Sequence, residues 1–391
     1  MTPRGALDGI GITGTRQHDA WQRRVLPPVE EVRPGVWSVP VPIPDSPLRY
    51  TLSYAFVGDA DVVIVDPGWD TAEGRQAAAA GLIAAGAALR DVAGVVVTHI
   101  HPDHHGLSGW LRRESAAWIA MHPAEAETLP GRIWRHQHIG ADRDWLRGHG
   151  VPDDDLAVLA VDPAQIADIL DMAEPDRFLG DGDRLPMPGR DVRAIWTPGH
   201  TPGHLCLHDA AAGILLTGDH LLPRISPNIG VDVGREGDPL TAYLASLDAV
   251  TGFRADEALP AHEYRFRGID IRAADLIAHH HARNTEILGA IDDLAQPTAW
   301  AIAAQLTWSR GWAALHGMMR RMALAETVAH LRHLVTAGDV VGGGGPPLLW
   351  RRSPPDDASA ATLPSRALTY ATKFCGGCHR EGVGLCASGC P

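Results

Sequence analysis

Residues 95–111 read VVVTHIHPDHHGLSGWL, three valines running straight into His99, His101, Asp103 and His104. A β-branched run too short for a helix and flanked by turn residues reads as a buried strand. Its end delivers three imidazoles and a carboxylate almost side by side. Histidine is the commonest metal ligand near neutral pH, and carboxylates add hard oxygen donors. In an extended segment leaving a strand, His99 and His101 can face one ion. Asp103 and His104 follow the turn at Pro102 and can face a second ion beside it. One such cluster cannot fill two coordination shells.

Other stretches supply what is missing. The apolar runs VRAIWTPGH (192–200), GILLTGDH (213–220) and EALPAHE (257–263) each deliver a His or Asp just past a strand, giving His200, Asp219 and His262. Strand ends gathered along one sheet edge bring such residues together, and polar groups placed there form a site rather than a core. Ahead of them, GVWSVPVPI (35–43) and LSYAFVGD (52–59) read as a hairpin, VVIVDPGWD (62–70) as a strand ending at Asp66, and the Ala-rich stretch over about 71–86 as a helix. The interval from Leu107 to Val192 reads as helices covering the mouth of the site.

The chain has 391 residues, 45% hydrophobic and 21% charged, enough to bury a large core in more than one folded unit. Its formal net charge of −13 opposes attraction to phosphate backbones and anionic lipid surfaces. No duplex nucleic acid is therefore expected as a partner, and no membrane. The first residues carry no apolar leader core, and no stretch approaches the roughly 18 apolar residues of a span. A cytoplasmic location is expected, with a homodimer left open.

Four units follow from composition. Residues 1–30 read as a loosely held arm, 31–290 as the catalytic domain, 291–352 as a winged-helix-like domain, and 353–391 as a linker with a Cys-rich tail. Helical spacing marks DLIAHHHARNTEILGAIDDL (275–294), and short helices, a longer helix and a Gly-turn hairpin follow. Cys206 stands alone in the body. Cys375, Cys378, Cys386 and Cys390 lie together in the tail, four thiolates suited to an additional zinc, with an iron–sulfur cluster as the alternative.

The ordered set of motifs resembles the metallo-β-lactamase superfamily, whose signature is His-x-His-x-Asp-His followed by separate His, Asp and His motifs. The resemblance covers roughly residues 32–285 and implies an αββα sandwich within an α/β (α+β) chain. It implies that His99, His101 and His200 hold one divalent metal and Asp103, His104 and His262 a second, with Asp219 bridging. Zinc is the first expectation, iron or manganese the alternatives. Asp66 resembles the family's acid that orients a ligand histidine from behind, and Arg283 lies where some members keep a basic residue for an anionic substrate.

The chemistry implied is attack by a metal-bound hydroxide shared by two ions roughly 3.5–4 Å apart, with Asp103 and Asp219 as the catalytic carboxylates. Asp219 stands where the best-known zinc β-lactamases carry cysteine, and the pattern resembles glyoxalase II-like thioesterases, lactonases and phosphodiesterases. The winged-helix-like unit is similar to that of the lactamase-beta-like group. A small acyl-type substrate, ester, thioester or lactone and carrier-bound forms included, is expected. A metal-dependent phosphodiesterase or ribonuclease is the alternative, and an iron-dependent oxidoreductase of the same fold a further one.

Overall fold

The structure, a computed structural model, describes residues 9–129, 139–160, 172–187, 189–231 and 233–354. The four tail cysteines lie outside the described residues.

Two sheets carry the strands that end in site residues. The first has the order β2 (Glu30–Arg33), β3 (Val36–Pro42), β4 (Tyr50–Val57), β5 (Val62–Val65), β6 (Val92–Val96), β7 (Trp118–Met121), β8 (Arg177–Phe178). The second runs β1 (Gly11–Ile12), β13 (Phe266–Arg267), β12 (Glu257–Pro260), β11 (Ile214–Gly218), β10 (Leu205–Asp209), β9 (Val192–Trp196). Side chains alternate faces along a strand. In β4, Tyr50, Leu52, Tyr54 and Phe56 therefore enter the core between the sheets, where Leu205, Leu207, Ile214 and Leu216 meet them, while Ala55 faces outward.

Helices close both outer faces. Against the first sheet lie α2 (Ala72–Ala84) and, after the one-turn α3 (Pro102–His105), α4 (Ser108–Ser115), which contribute Ala78, Leu82 and Leu111. Against the second lie α8 (Pro239–Val250) and α9 (Ile269–Asp293), with Tyr243, Leu247 and Leu276. The result is the αββα sandwich.

Strand direction explains where the site forms. β5, β6 and β7 run parallel, as do β11 and β12. β9 is antiparallel to β10, which is antiparallel to β11, so β9 runs with β11. The C-terminal ends of β5 and β6 thus share one end of their sheet, and those of β9, β11 and β12 one end of theirs.

Three expectations change. The described part of the arm, residues 9–30, is held: α1 (Thr15–Arg23) buries Gln17, Ala20 and Trp21 on one helical stripe, and the Arg49 guanidinium lies 3.9 Å over the Trp21 ring. The interval after Leu107 holds the strands β7 and β8 besides its helices α5 (Pro123–Glu127), α6 (Ile139–Gly148) and α7 (Asp153–Leu159). A domain boundary at 290 falls inside α9, because Ile287 and Ile291 pack in one core with Leu146 and Leu156, with α10 (Ala299–Gln305) and α11 (Gly317–Thr336), and with the hairpin of β14 (Val340–Gly343) and β15 (Leu349–Arg352). One compact unit extends to Arg352.

Candidate metal centre

The sharp turn after each strand sets its ligand in place. Gly218, at φ 48°, precedes Asp219, and a Cβ on it would sit 2.7 Å from His204 Nε2, the atom that accepts the Asp219 N–H at 3.2 Å. Gly199, at φ 144°, precedes His200, and a Cβ there would lie 2.4 Å from that of Tyr243. Both positions need glycine for space and for backbone conformation.

Seven donors converge. His99 Nε2 and His200 Nε2 lie 2.9 and 3.1 Å from His101 Nδ1. On the other side, His262 Nε2 lies 3.1 Å from Asp219 Oδ1 and 3.4 Å from Asp103 Oδ2, and His104 Nε2 lies 3.5 Å from Asp219 Oδ1. Asp219 Oδ2 turns the opposite way, 3.8 Å from His200 Nε2. One carboxylate therefore faces both groups of donors.

The outer ring nitrogens decide what the inner ones can do. His104 Nδ1 donates to Asp66 Oδ2 at 2.8 Å, His200 Nδ1 to the Asn228 carbonyl at 2.8 Å, and His262 Nδ1 to the Tyr50 carbonyl at 2.9 Å. The Thr98 hydroxyl donates to Asp66 Oδ2, so its oxygen accepts from His99 Nδ1 at 3.1 Å. A neutral imidazole that donates at one nitrogen offers a bare lone pair at the other. In the neutral form His99, His104, His200 and His262 therefore each turn a lone pair inward.

Buried polar atoms without partners are costly. His104 Nε2, His262 Nε2 and Asp219 Oδ1 are all buried and meet only one another and Asp103, without a well-formed hydrogen bond. Burial first, and neighbouring His101 next, push His200 down to about 3, leaving a neutral ligand. Against burial, Asp219 and Asp103 lift His262 to about 10, and His104 and His262 hold Asp103 at about 2. Carboxylates at this spacing demand positive charge between them, and bare nitrogens complete the shell. Divalent metals fit: His99, His101 and His200 would form one set, Asp103, His104 and His262 the other, with Asp219 spanning them. The mix of imidazole and carboxylate suits zinc, iron or manganese alike.

Asp66, at φ 50°, accepts three hydrogen bonds: the Thr98 N–H and hydroxyl, both at 2.7 Å, and His104 Nδ1. The structure thus places it behind a ligand histidine. Arg283 lies elsewhere. Its guanidinium donates to Glu286 at 2.7 Å and to the Thr307 carbonyl at 2.8 Å, and lies 4.7 Å over the Trp308 ring. Only 8% exposed, it is a packing residue between α9 and the stretch that follows α10 (Ala299–Gln305), and the expectation of a substrate contact is corrected.

Two residues at the centre carried no readable signal. Glu125, fully buried on α5, accepts the Ile100 N–H at 2.9 Å and the Gly203 N–H at 2.6 Å, tying the His99–His101 segment to the loop of His200. Its stretch HPAEAE looks like any acidic helix start. Asn228 acts through its backbone carbonyl, which every residue has.

Comparison with known proteins places this geometry. Residues 46–262 match the model of the metallo-beta-lactamase superfamily. A metallo-beta-lactamase family protein of Thermus thermophilus is 32% identical, with a TM-score of 0.69 over 82% of this chain and 100% of that one. A beta-lactamase domain protein of Burkholderia ambifaria is 29% identical, with a TM-score of 0.67 over 83% of this chain and 94% of that one. The lactamase-like protein vrtG of Penicillium aethiopicum is 28% identical over 179 residues, 45% of this chain and 51% of its own length. The chain spans about half the length of the curated relatives it matches first.

Proposed function

The chain belongs to the metallo-beta-lactamase superfamily, and we propose that within it the protein is a dinuclear metal-dependent hydrolase of small acyl-type substrates: esters, thioesters or lactones. The observation that carries this reading is the convergence of seven donors whose buried inner atoms His104 Nε2, His262 Nε2 and Asp219 Oδ1 crowd to 3.1 and 3.5 Å of one another without a well-formed hydrogen bond. Two divalent ions held there would supply an activated water and polarise the oxygen under attack.

The chain's own residues do the rest. Asp219 presents one oxygen to each donor set and fixes their separation. Asp103, with Oδ2 3.4 Å from His262 Nε2, takes up the proton released by the attacking water and returns it to the leaving group. The outer hydrogen bonds of His99, His104, His200 and His262 keep those rings in the tautomer that binds metal.

The preference for an acyl substrate over a polyanion rests on charge. The net charge is −13. On α11 the basic groups turn inward: Arg321 pairs with Asp142 at 2.7 Å, Arg320 lies 3.6 Å from Asp155, and Arg332 donates to the Arg235 carbonyl at 2.8 Å. No helix among the described residues is long and apolar enough to cross a membrane.

The test begins with metal content by plasma mass spectrometry on protein purified without added metal or chelator. Panels of acyl esters, thioesters and lactones follow, with bis(p-nitrophenyl) phosphate and single-stranded RNA as controls. About two ions per chain with acyl hydrolysis, abolished in Asp219→Ala while the far-UV spectrum persists, is expected. Cleavage of the phosphodiester or RNA alone would replace the acyl reading. Iron with oxygen consumption would replace hydrolysis itself.

A further inference from the structure

His200 is the ligand of the three-histidine set contributed by the second sheet, and its orientation depends on a segment without regular structure between β11 and α8. His200 Nδ1 donates to the Asn228 carbonyl at 2.8 Å. The Asn228 side chain in turn donates from Nδ2 to two acceptors on α11, the Met322 carbonyl and Glu326 Oε2, each at 3.2 Å. Further contacts run the same way. The Val231 N–H donates to the Ala325 carbonyl at 3.2 Å, and Arg332 donates to the carbonyls of Arg235 and Gly237 at 2.8 and 3.1 Å. Arg235 then returns to the ligand loop, donating to the Gly199 carbonyl at 3.1 Å.

We propose that the C-terminal helix α11 is the outer support of the three-histidine metal site: Glu326 fixes Asn228, and Asn228 fixes the His200 imidazole. Helix α11 then acts on the metal centre from outside the sandwich, whatever else it does. This rests on the metal-centre reading above. Glu326 and Asn228 are positioning residues and touch no reacting atom. A helix that merely closes the core would need neither of the two bonds from Asn228 Nδ2, since Leu324, Val328 and Leu331 already bury its apolar face. Partners of ligand histidines typically alter metal affinity about 10–100-fold when removed, and a link one residue further out belongs at the lower end.

The experiment is zinc competition against a chromophoric chelator, with a cobalt(II) absorption titration in parallel, on the full chain as wild type, Glu326→Gln, Glu326→Leu and Asn228→Ala. Thermal melting of each metal-free protein is recorded alongside. Glutamine keeps an oxygen able to accept from Asn228 Nδ2, whereas leucine fills the space without one. Asn228→Ala severs the same link from the loop side and leaves the helix intact. Glu326→Leu and Asn228→Ala are expected to weaken one of the two metals about tenfold, to leave the other within twofold, and to melt close to wild type when metal-free. Glu326→Gln should bind as wild type does. Unchanged affinity in Glu326→Leu and Asn228→Ala overturns the proposal. So does equal loss of both metals in step with a fall in melting temperature, or a Gln variant as impaired as Leu. Failure of the metal-centre reading would show separately, as wild type that takes up no pair of ions, and would remove this proposal with it.

Discussion

Glu125→Gln is the most direct test of how the ligand loops are held. The carboxylate is fully buried and accepts one N–H at each oxygen, Ile100 at 2.9 Å and Gly203 at 2.6 Å. A glutamine in the same place has one accepting oxygen and an NH2 group with no lone pair. Whichever way it turns, one of the two backbone N–H groups faces a donor. An unmade buried hydrogen bond costs about 1–3 kcal/mol, and the surviving one loses charge assistance worth about 1 kcal/mol. One effect runs the other way: burial holds the Glu125 carboxyl above its ordinary range, so a neutral amide recovers part of the cost of burying charge. The losses outweigh it, and a net destabilisation of about 2 kcal/mol is expected in urea unfolding of the metal-free protein. Because the two N–H groups lie beside His101 and three residues beyond His200, part of this falls on metal affinity, and about 1.4 kcal/mol would be tenfold. Stability within about 0.5 kcal/mol of wild type, with unchanged zinc affinity, would refute the idea that Glu125 bridges the two loops.

Three further outcomes are expected. Asp66→Asn removes the charged acceptor behind His104, and zinc competition should show about 10–100-fold weaker binding in the Asp103–His104–His262 set, with the three-histidine set less affected; equal loss in both would contradict the assignment. His280, between α9 and α11, is pushed down to about 3, by burial first and then by the charges of His279, Arg283 and His333. Its Nδ1 faces His330 Nε2 at 3.2 Å. The unfolded chain takes up this proton near its ordinary pKa and the folded chain does not, so stability is present at neutral pH and is lost as pH falls. Between pH 7 and 5, His280→Asn should lose about 2 kcal/mol less than wild type, read as urea midpoints; parallel pH profiles would sink this. Arg283→Met should lower stability by about 1–3 kcal/mol while leaving KM for anionic and neutral substrates in the same ratio, and a selective rise in KM for anionic ones would restore Arg283 as a substrate contact.

The candidate ligand set is legible because its motifs sit at the ends of short apolar runs, where alternation along the strand stops and a polar residue has no core reason to be. His99, His200, Asp219 and His262 announce themselves this way. What supports them does not. Glu125 lies two residues from Glu127 in the same stretch, and only the fold shows that the first is buried while the second is exposed. The N-terminal helix has another reason to be hard to read: TRQHDAWQR is polar apart from Ala20 and Trp21, and the third residue of its buried face, Gln17, is buried because it has partners, donating to Ser38 at 3.0 Å and accepting the Arg265 N–H at 3.0 Å. A stripe of two apolar residues completed by a hydrogen-bonded glutamine leaves little signature in composition.

The two donor sets are supported unequally, and the difference follows from topology. His104 leans on Asp66, which follows β5, and His262 crosses the sandwich to the Tyr50 carbonyl on β4. Both supports belong to the seven-stranded sheet, whose core side chains would have to move before either ring could turn. His99 leans on Thr98 and, through it, on Asp66. His200 alone among these four leans on a segment well removed from any strand, and that segment is gripped by a helix far downstream in the sequence. Interior packing is rigid against small displacements, whereas a loop held by a few hydrogen bonds opens at lower free energy. The Asp103–His104–His262 set should therefore hold its geometry through local opening of α11, and the three-histidine set should not. Any perturbation of α11, from within the chain or from a partner bound to it, would then reach the metal centre through His200 first.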